Sequence, residues 1–256
     1  MRSRARASMA AMLLGLAHDA RLRWVLAVAV AASLVGGLLH GALAARLGGI
    51  DAIELQTAAV SRGAATQLVV VLVVLIAVAG PYRDGTWLQL ALAEPRPTRR
   101  LLVSTVPVLA VCGALALVCA SAATAGAGAA AGGIEPSAVV LPVGLQLVVS
   151  SIWTLWVLGL AHAVRSPMLT LAVGAGLPIV VEPAVAGLLT PAGLGSLRWA
   201  LPGQALRALA ELPATGGGLL QPVPSAALTP AILTIVVCTG AVGAAAWLRL
   251  RGPQPR

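Results

Sequence analysis

Lysine and phenylalanine are absent from this chain, and charged residues of any kind make up only 10% of it. A soluble domain carries about a quarter charged residues, so the polar surface here cannot cover a water-facing globule. Without lysine there is no Walker A motif, which needs that side chain beside the β- and γ-phosphates, and nucleotide hydrolysis by that route is excluded. Histidine and cysteine are scarce, three of each. Cys112, Cys119 and Cys238 fall inside apolar runs without metal-ligand spacing and read as small buried hydrophobes. His40 and His162, near the ends of such runs, share no metal-binding spacing with acids, so no metal site is expected.

What is present is 59% hydrophobic residues, gathered in runs near the roughly twenty residues that cross the hydrocarbon core as a helix. Six spans are predicted, over about 24–44, 64–80, 101–124, 139–164, 168–181 and 227–248. The fold class is therefore all-α, a polytopic membrane protein, and 1–256 reads as one transmembrane domain without internal repeats. Residues 1–23 are basic. Met9, Met12, Leu13 and Leu16 recur at helical spacing, predicting an amphipathic helix at the membrane interface. The apolar stretch there is too short, and followed too soon by His18, Asp19, Arg21 and Arg23, for a cleavable signal peptide.

All seventeen basic residues are arginine. Thirteen lie in the N-terminal segment, the 81–100 loop, the Arg165 turn and the C-terminal tail, against Asp19, Asp84 and Glu94. The opposite loops hold Arg46, Arg62, Arg198 and Arg207 against five acids. Such a bias marks the cytoplasmic side and predicts both termini there. Because the arginines flank apolar runs instead of covering one soluble face, no nucleic-acid partner is expected.

The loop from Gly80 to Arg100 is the most polar internal stretch. Thr86 can cap a short helix that Pro95 and Pro97 stop, and between them Trp87, Leu88, Leu90, Ala91 and Leu92 form an apolar patch expected to face the cytoplasm. Such a patch calls for a cover, either the bilayer surface or a protein partner. Tyr82-Arg83, Gly85-Thr86, the leucine run, Pro95-Arg96 and then Arg99-Arg100-Leu101-Leu102 resemble the ABC-2 family of ABC-transporter permeases. In that family the loop between the second and third spans is a coupling helix that docks on an ATPase subunit. The resemblance implies ATPase coupling by Tyr82, Arg83, Gly85, Thr86, Pro95 and Arg96, with Trp87 of the apolar run beside them. It implies a permease of a bacterial plasma-membrane exporter, with no cofactor or catalysis of its own. ATP and Mg would be bound by the ATPase, and a second permease copy or homologue would complete the complex in the bilayer. Two positions depart from the pattern: Pro81 replaces a common acid, and Ser104-Thr105 stand where a lysine often opens the third span.

The family resemblance also implies short re-entrant helices in the extracytoplasmic segment 182–227, around Leu197–Leu212. Three residues inside the membrane stand out as a candidate substrate path: Glu182 near the outer end of the fifth span, and Gln146 and Trp153 on a polar–aromatic stripe of the fourth with Ser150 and Thr154. Ionisable groups at that depth usually face a cavity or a partner, although a carboxylate at a helix end can also reach water. Polar groups on a spanning helix can bond a neighbouring helix instead of a substrate. Pro107, Pro142 and Pro178 are expected to kink their helices, and Gly174, Gly176, Gly240 and Gly243 to permit close packing. A secondary transporter or channel would need midplane charges or repeated broken spans. An intramembrane enzyme would need a nucleophile–base set, and no Gly-x-Ser-x-Gly or His-Glu-x-x-His occurs.

Overall fold

The computed structural model of the protein describes residues 2–61, 64–87, 89, 92, 96–214 and 219–251. Among them every regular element is helical. Six helices are long and apolar enough to cross a membrane: Ala20–Leu47, Ala52–Arg83, Pro97–Ala131, Pro136–Val164, Pro167–Leu189 and Ser225–Arg251. These are the first to sixth spans below.

An N-terminal helix, Arg2–His18, precedes them. Leu16 is buried and Met9 and Met12 half-buried, whereas Leu13 turns outward with Leu14; the helix packs against the third span. Asp19 separates it from the first span by accepting the Arg21 amide at 2.8 Å, a side-chain cap for an otherwise orphaned donor. The Arg21 guanidinium and amide together hold the Asp19 carboxyl below its usual range.

The first and third spans form the closest packed pair. Buried positions of the first are Leu22, Ala29, Ser33, Gly37, Gly41 and Ala44, small residues at roughly four-residue steps along one helical face. Ser33 meets Cys119 of the third, Gly37 meets Ala123, and Gly41 meets Ala127. A methyl group on Gly37 would lie 2.0 Å from the Ala123 carbonyl oxygen, and one on Gly41 2.3 Å from that of Ala127. The backbones touch because nothing protrudes between them. Of the glycines expected to permit close packing, Gly174 meets neighbours only at ordinary distance, and Gly176, Gly240 and Gly243 have open space around them.

Span boundaries differ from expectation in the second and fifth spans. The second span begins at Ala52, so its first ten described residues are helix and not loop. Glu54, Gln56 and Thr57 there are fully buried because each finds a partner: Glu54 on the Leu219 and Leu220 amides before the sixth span, Gln56 on Thr124, and Thr57 on the Ile53 carbonyl. The fifth span continues past Val181 to Leu189 through a π-helical stretch, Ala172–Val181. Pro178 lies within that stretch and lacks the amide that an α-helix would use, so widening the turn lets the helix run on. A second π-helical stretch, Leu75–Ala79, precedes Pro81 in the same way. Pro142 does not sit at a kink position: it falls in the first turn of the helix Val140–Val164, where its missing amide has no partner to lose.

Between the fifth and sixth spans lie a 3₁₀ turn, Gly195–Ala200, and a nine-residue helix, Pro202–Ala210. This short helix packs on the fourth and sixth spans.

Candidate functional site

At the arginine-rich end of the bundle, the second span runs out at Arg83 and the chain turns at Gly85, whose φ of 74° lies in the left-handed region that glycine enters without a Cβ penalty. The Gln89 amide donates to the Thr86 carbonyl, and Trp87, Gln89 and Leu92 are helical. Arg83, Asp84, Gly85, Thr86, Gln89, Leu92 and Arg96 are exposed. Pro95 lies outside the described residues, as do Leu88, Leu90 and Ala91.

Trp87 does not join an exposed patch. It is 5% exposed, with its ring 4.5 Å from that of Tyr82 and 5.1 Å from that of His162. The physical reason is an aromatic pocket that only tertiary contact creates. The Tyr82 hydroxyl lies 2.9 Å from His162 Nδ1, and Ser104 Oγ lies 3.2 Å from His162 Nε2. Ser104 already donates to the Leu101 carbonyl. One tautomer satisfies all three groups: His162 donates from Nε2 to Ser104 and accepts the Tyr82 proton at Nδ1. The Arg165 guanidinium stands 5.7 Å over the Tyr82 ring and donates to the Arg249 carbonyl at 2.5 Å. The hub therefore joins the loop to the third, fourth and sixth spans. Replacing His162 with Phe should retain ring packing but leave the Tyr82 hydroxyl without its acceptor, a loss of about 1–3 kcal/mol. Hydrogen exchange of the 82–87 amides should then quicken roughly tenfold or more, since 1.4 kcal/mol is a factor of ten; unchanged exchange would mean that His162 does not pin the loop. Ser104 and His162 are both buried, at 0% and 1% exposure.

Toward the other end, two buried carboxylates hold the segment between the fifth and sixth spans. Glu182 accepts the amides of Gly203 and Gln204, each at 3.0 Å. It thereby caps the Pro202–Ala210 helix from another element, satisfying donors that a helix N-terminus leaves open. Glu182 does not reach water, being 2% exposed. Glu54 accepts the amides of Leu219 and Leu220 at 2.9 and 2.8 Å. The capped helix sits deep in the bundle. Glu182 is fifteen residues beyond Pro167, roughly 20 Å along the fifth span. Thr234, whose hydroxyl reaches toward the Ala200 carbonyl, is roughly 14 Å into the sixth.

The polar stripe of the fourth span is buried throughout: Gln146, Ser150, Trp153 and Thr154. Thr154 donates to its own helix, at the Ser150 carbonyl, and Trp156 donates to Thr239 of the sixth span at 2.8 Å. Gln146 lines a cavity of about 130 Å³ with Pro178, Pro183 and Arg207. Trp153 and Glu182 border a second, also about 130 Å³, with Trp156, Leu177 and Cys238. Both cavities touch the Leu177–Pro183 stretch of the fifth span, so the three residues expected on a substrate path converge on one segment. Among the described residues no group of three His, Cys, Asp or Glu is placed to hold a metal ion.

Glu54 and His162 were not among the candidate site residues. Nothing near Glu54 in sequence announces its partners 165 and 166 positions away, and His162 meets Tyr82 across 80. The signal available was composition alone, an acid and an imidazole beside apolar runs.

Comparison with protein-family models and with curated proteins gave no match for this chain. The class it belongs to is defined by its helices: a multi-pass membrane protein.

Proposed function

We infer that the chain is the permease subunit of an ABC-type exporter, with the 81–100 loop as the contact for a separate ATPase. The supporting observation is the division of the loop into two faces. Arg83, Thr86, Leu92 and Arg96 are exposed, while Tyr82 and Trp87 are locked into the hub around His162. A surface anchored in this way passes on a push where a mobile loop would absorb it. From Tyr82 the chain of contacts runs through Arg165 to the Arg249 carbonyl on the sixth span. The ATPase, holding ATP and Mg, would bind the exposed face differently in its open and closed states. Differential binding of that kind is what coupling requires. A second permease copy or homologue would complete the translocation path. Glu182, Gln146 and Trp153 would line its outer half, and the Pro202–Ala210 helix would be re-entrant. The cargo would be an amphiphile, drug, peptide or lipid, moved outward across a bacterial plasma membrane with both termini in the cytoplasm.

An ion-driven transporter would instead draw on Glu54 and Glu182. Each accepts two backbone amides, an arrangement better suited to holding the outer segment than to cycling an ion.

The test is co-expression with a candidate ABC ATPase and co-purification. Arg83→Ala, Leu92→Ser and Arg96→Ala combined should weaken capture at least tenfold, whereas equal capture of wild type and triple variant removes the coupling assignment. Orientation is checked separately with Thr86→Cys, which should react with an impermeant maleimide only after the inner membrane is opened. Labelling in intact spheroplasts would place the loop outside and end the proposal.

A further inference from the structure

The arginine-rich end carries a second feature, away from the His162 hub. A groove of about 410 Å³ opens between the end of the second span and the start of the fifth, within the roughly 300–1,000 Å³ range of small-molecule sites. Its deeper wall is apolar, with Leu72, Ile76 and Leu171, and its rim carries Arg21, Arg83 and Asp84. An apolar wall topped by charged groups beside a spanning helix suits a membrane lipid, and pockets of this kind between spans take lipid headgroups.

The hydrogen bonds on the rim narrow the headgroup. Arg21 gives Nε and Nη2 to Asp19, leaving Nη1 available. Arg83 gives Nε to Asp84 Oδ1, leaving both terminal nitrogens and Asp84 Oδ2 available. The three rim side chains remain accessible, at 73%, 69% and 54% for Arg21, Arg83 and Asp84. The rim thus offers spare donors and a spare anionic acceptor side by side. A phosphate alone would use the donors and leave Asp84 Oδ2 without one. A headgroup with a phosphate and a primary ammonium a few bonds apart answers both, the phosphate accepting from the guanidiniums and the ammonium donating to Asp84.

We propose that this groove is a binding site for an ethanolamine phospholipid of the leaflet at the arginine-rich end. The acyl chain lies along Leu72, Ile76 and Leu171, the phosphate meets Arg21 and Arg83, and the ammonium meets Asp84. Phosphatidylcholine has the same charges but no N–H to donate, and phosphatidylglycerol has no cation. The three lipids therefore separate hydrogen bonding, zwitterion matching and bulk charge.

The experiment uses purified, delipidated full-length permease without any ATPase, titrated with each dioleoyl lipid and read by native mass spectrometry. Phosphatidylethanolamine should bind about fivefold more tightly than phosphatidylcholine, the scale of one partly exposed charge-assisted hydrogen bond. Asp84→Asn should bring that ratio close to one, and Arg21→Gln should weaken both zwitterionic lipids together. Equal affinity of wild type for the two zwitterionic lipids overturns the proposal, as does a preference that survives Asp84→Asn. Tightest binding of phosphatidylglycerol would assign the effect to the arginine-rich end as a whole and overturn it as well. The comparison of lipids on wild type needs no variant to fold, and its failure leaves the ATPase-coupling reading untouched because no ATPase is present.

Discussion

Gly37→Leu should abolish recovery of folded protein, whereas Gly36→Leu should be recovered at close to wild-type yield. The two glycines are adjacent in the first span but face opposite surroundings. A Cβ at Gly37 would lie 2.0 Å from the Ala123 carbonyl oxygen and 2.8 Å from its carbon. These are backbone atoms of another spanning helix, so relief requires the whole third span to move. Inserting extra volume into a packed core ordinarily costs about 1–3 kcal/mol, and collision with backbone exceeds the upper end of that range. A Cβ at Gly36 meets nothing within 4 Å, and leucine there gains helix propensity over glycine. Detergent-extracted yield and monodispersity on size exclusion measure the difference. Equal yields from both variants would mean that the first and third spans are not in backbone contact.

The second large effect is at Glu182. Glu182→Leu removes the acceptor for the amides of Gly203 and Gln204 and leaves both without a partner in a buried setting. At about 1–3 kcal/mol for each unsatisfied group, the loss is about 4 kcal/mol, and thermal unfolding followed on the purified protein should show it as a fall of several degrees. Glu182→Gln keeps one oxygen acceptor but turns an amide donor toward the second N–H, so its loss should be smaller. Gly203→Ala should resemble the leucine variant, since its Cβ would sit 2.7 Å from the carboxylate and 3.0 Å from Pro178. Under the proposed export function, efflux measurements separate two roles. A Gln variant with normal stability and reduced transport would place Glu182 on the substrate path. One that loses stability in step with transport would confine it to holding the outer helix. Full retention of both would leave it with neither.

These expectations show where sequence reading succeeded and where it stopped. The six spans were legible because a helix that crosses hydrocarbon must be apolar along some twenty residues, a local and redundant signal. Their ends were not. Ala52–Ser61 reads as a polar loop from its Glu54, Gln56 and Thr57, and becomes helix only because Leu219, Leu220 and Thr124 arrive to bond two of those side chains. The Arg165-Ser166-Pro167 turn was legible from its residues, and it has the form they suggest: Arg165 is left-handed at φ 57° and Ser166 caps the next helix. The turn after Arg83 is legible at Gly85, yet the sequence pattern puts Trp87 on an exposed patch, and the structure buries it. Periodicity says which residues share a face, and it cannot say that His162, eighty positions away, closes over that face.

The sequence by itself determined the class, the number of spans and the arginine asymmetry of their connections, because hydrophobic length and charge act residue by residue and need no partner. The tertiary structure decided which glycines bear the closest packing, that Trp87 faces inward, and that Glu54 and Glu182 hold the segment between the fifth and sixth spans by its amides. Those outcomes depend on atoms brought together from distant parts of the chain. A buried polar group is tolerated only where such a partner has been supplied, and no local pattern encodes which one it will be.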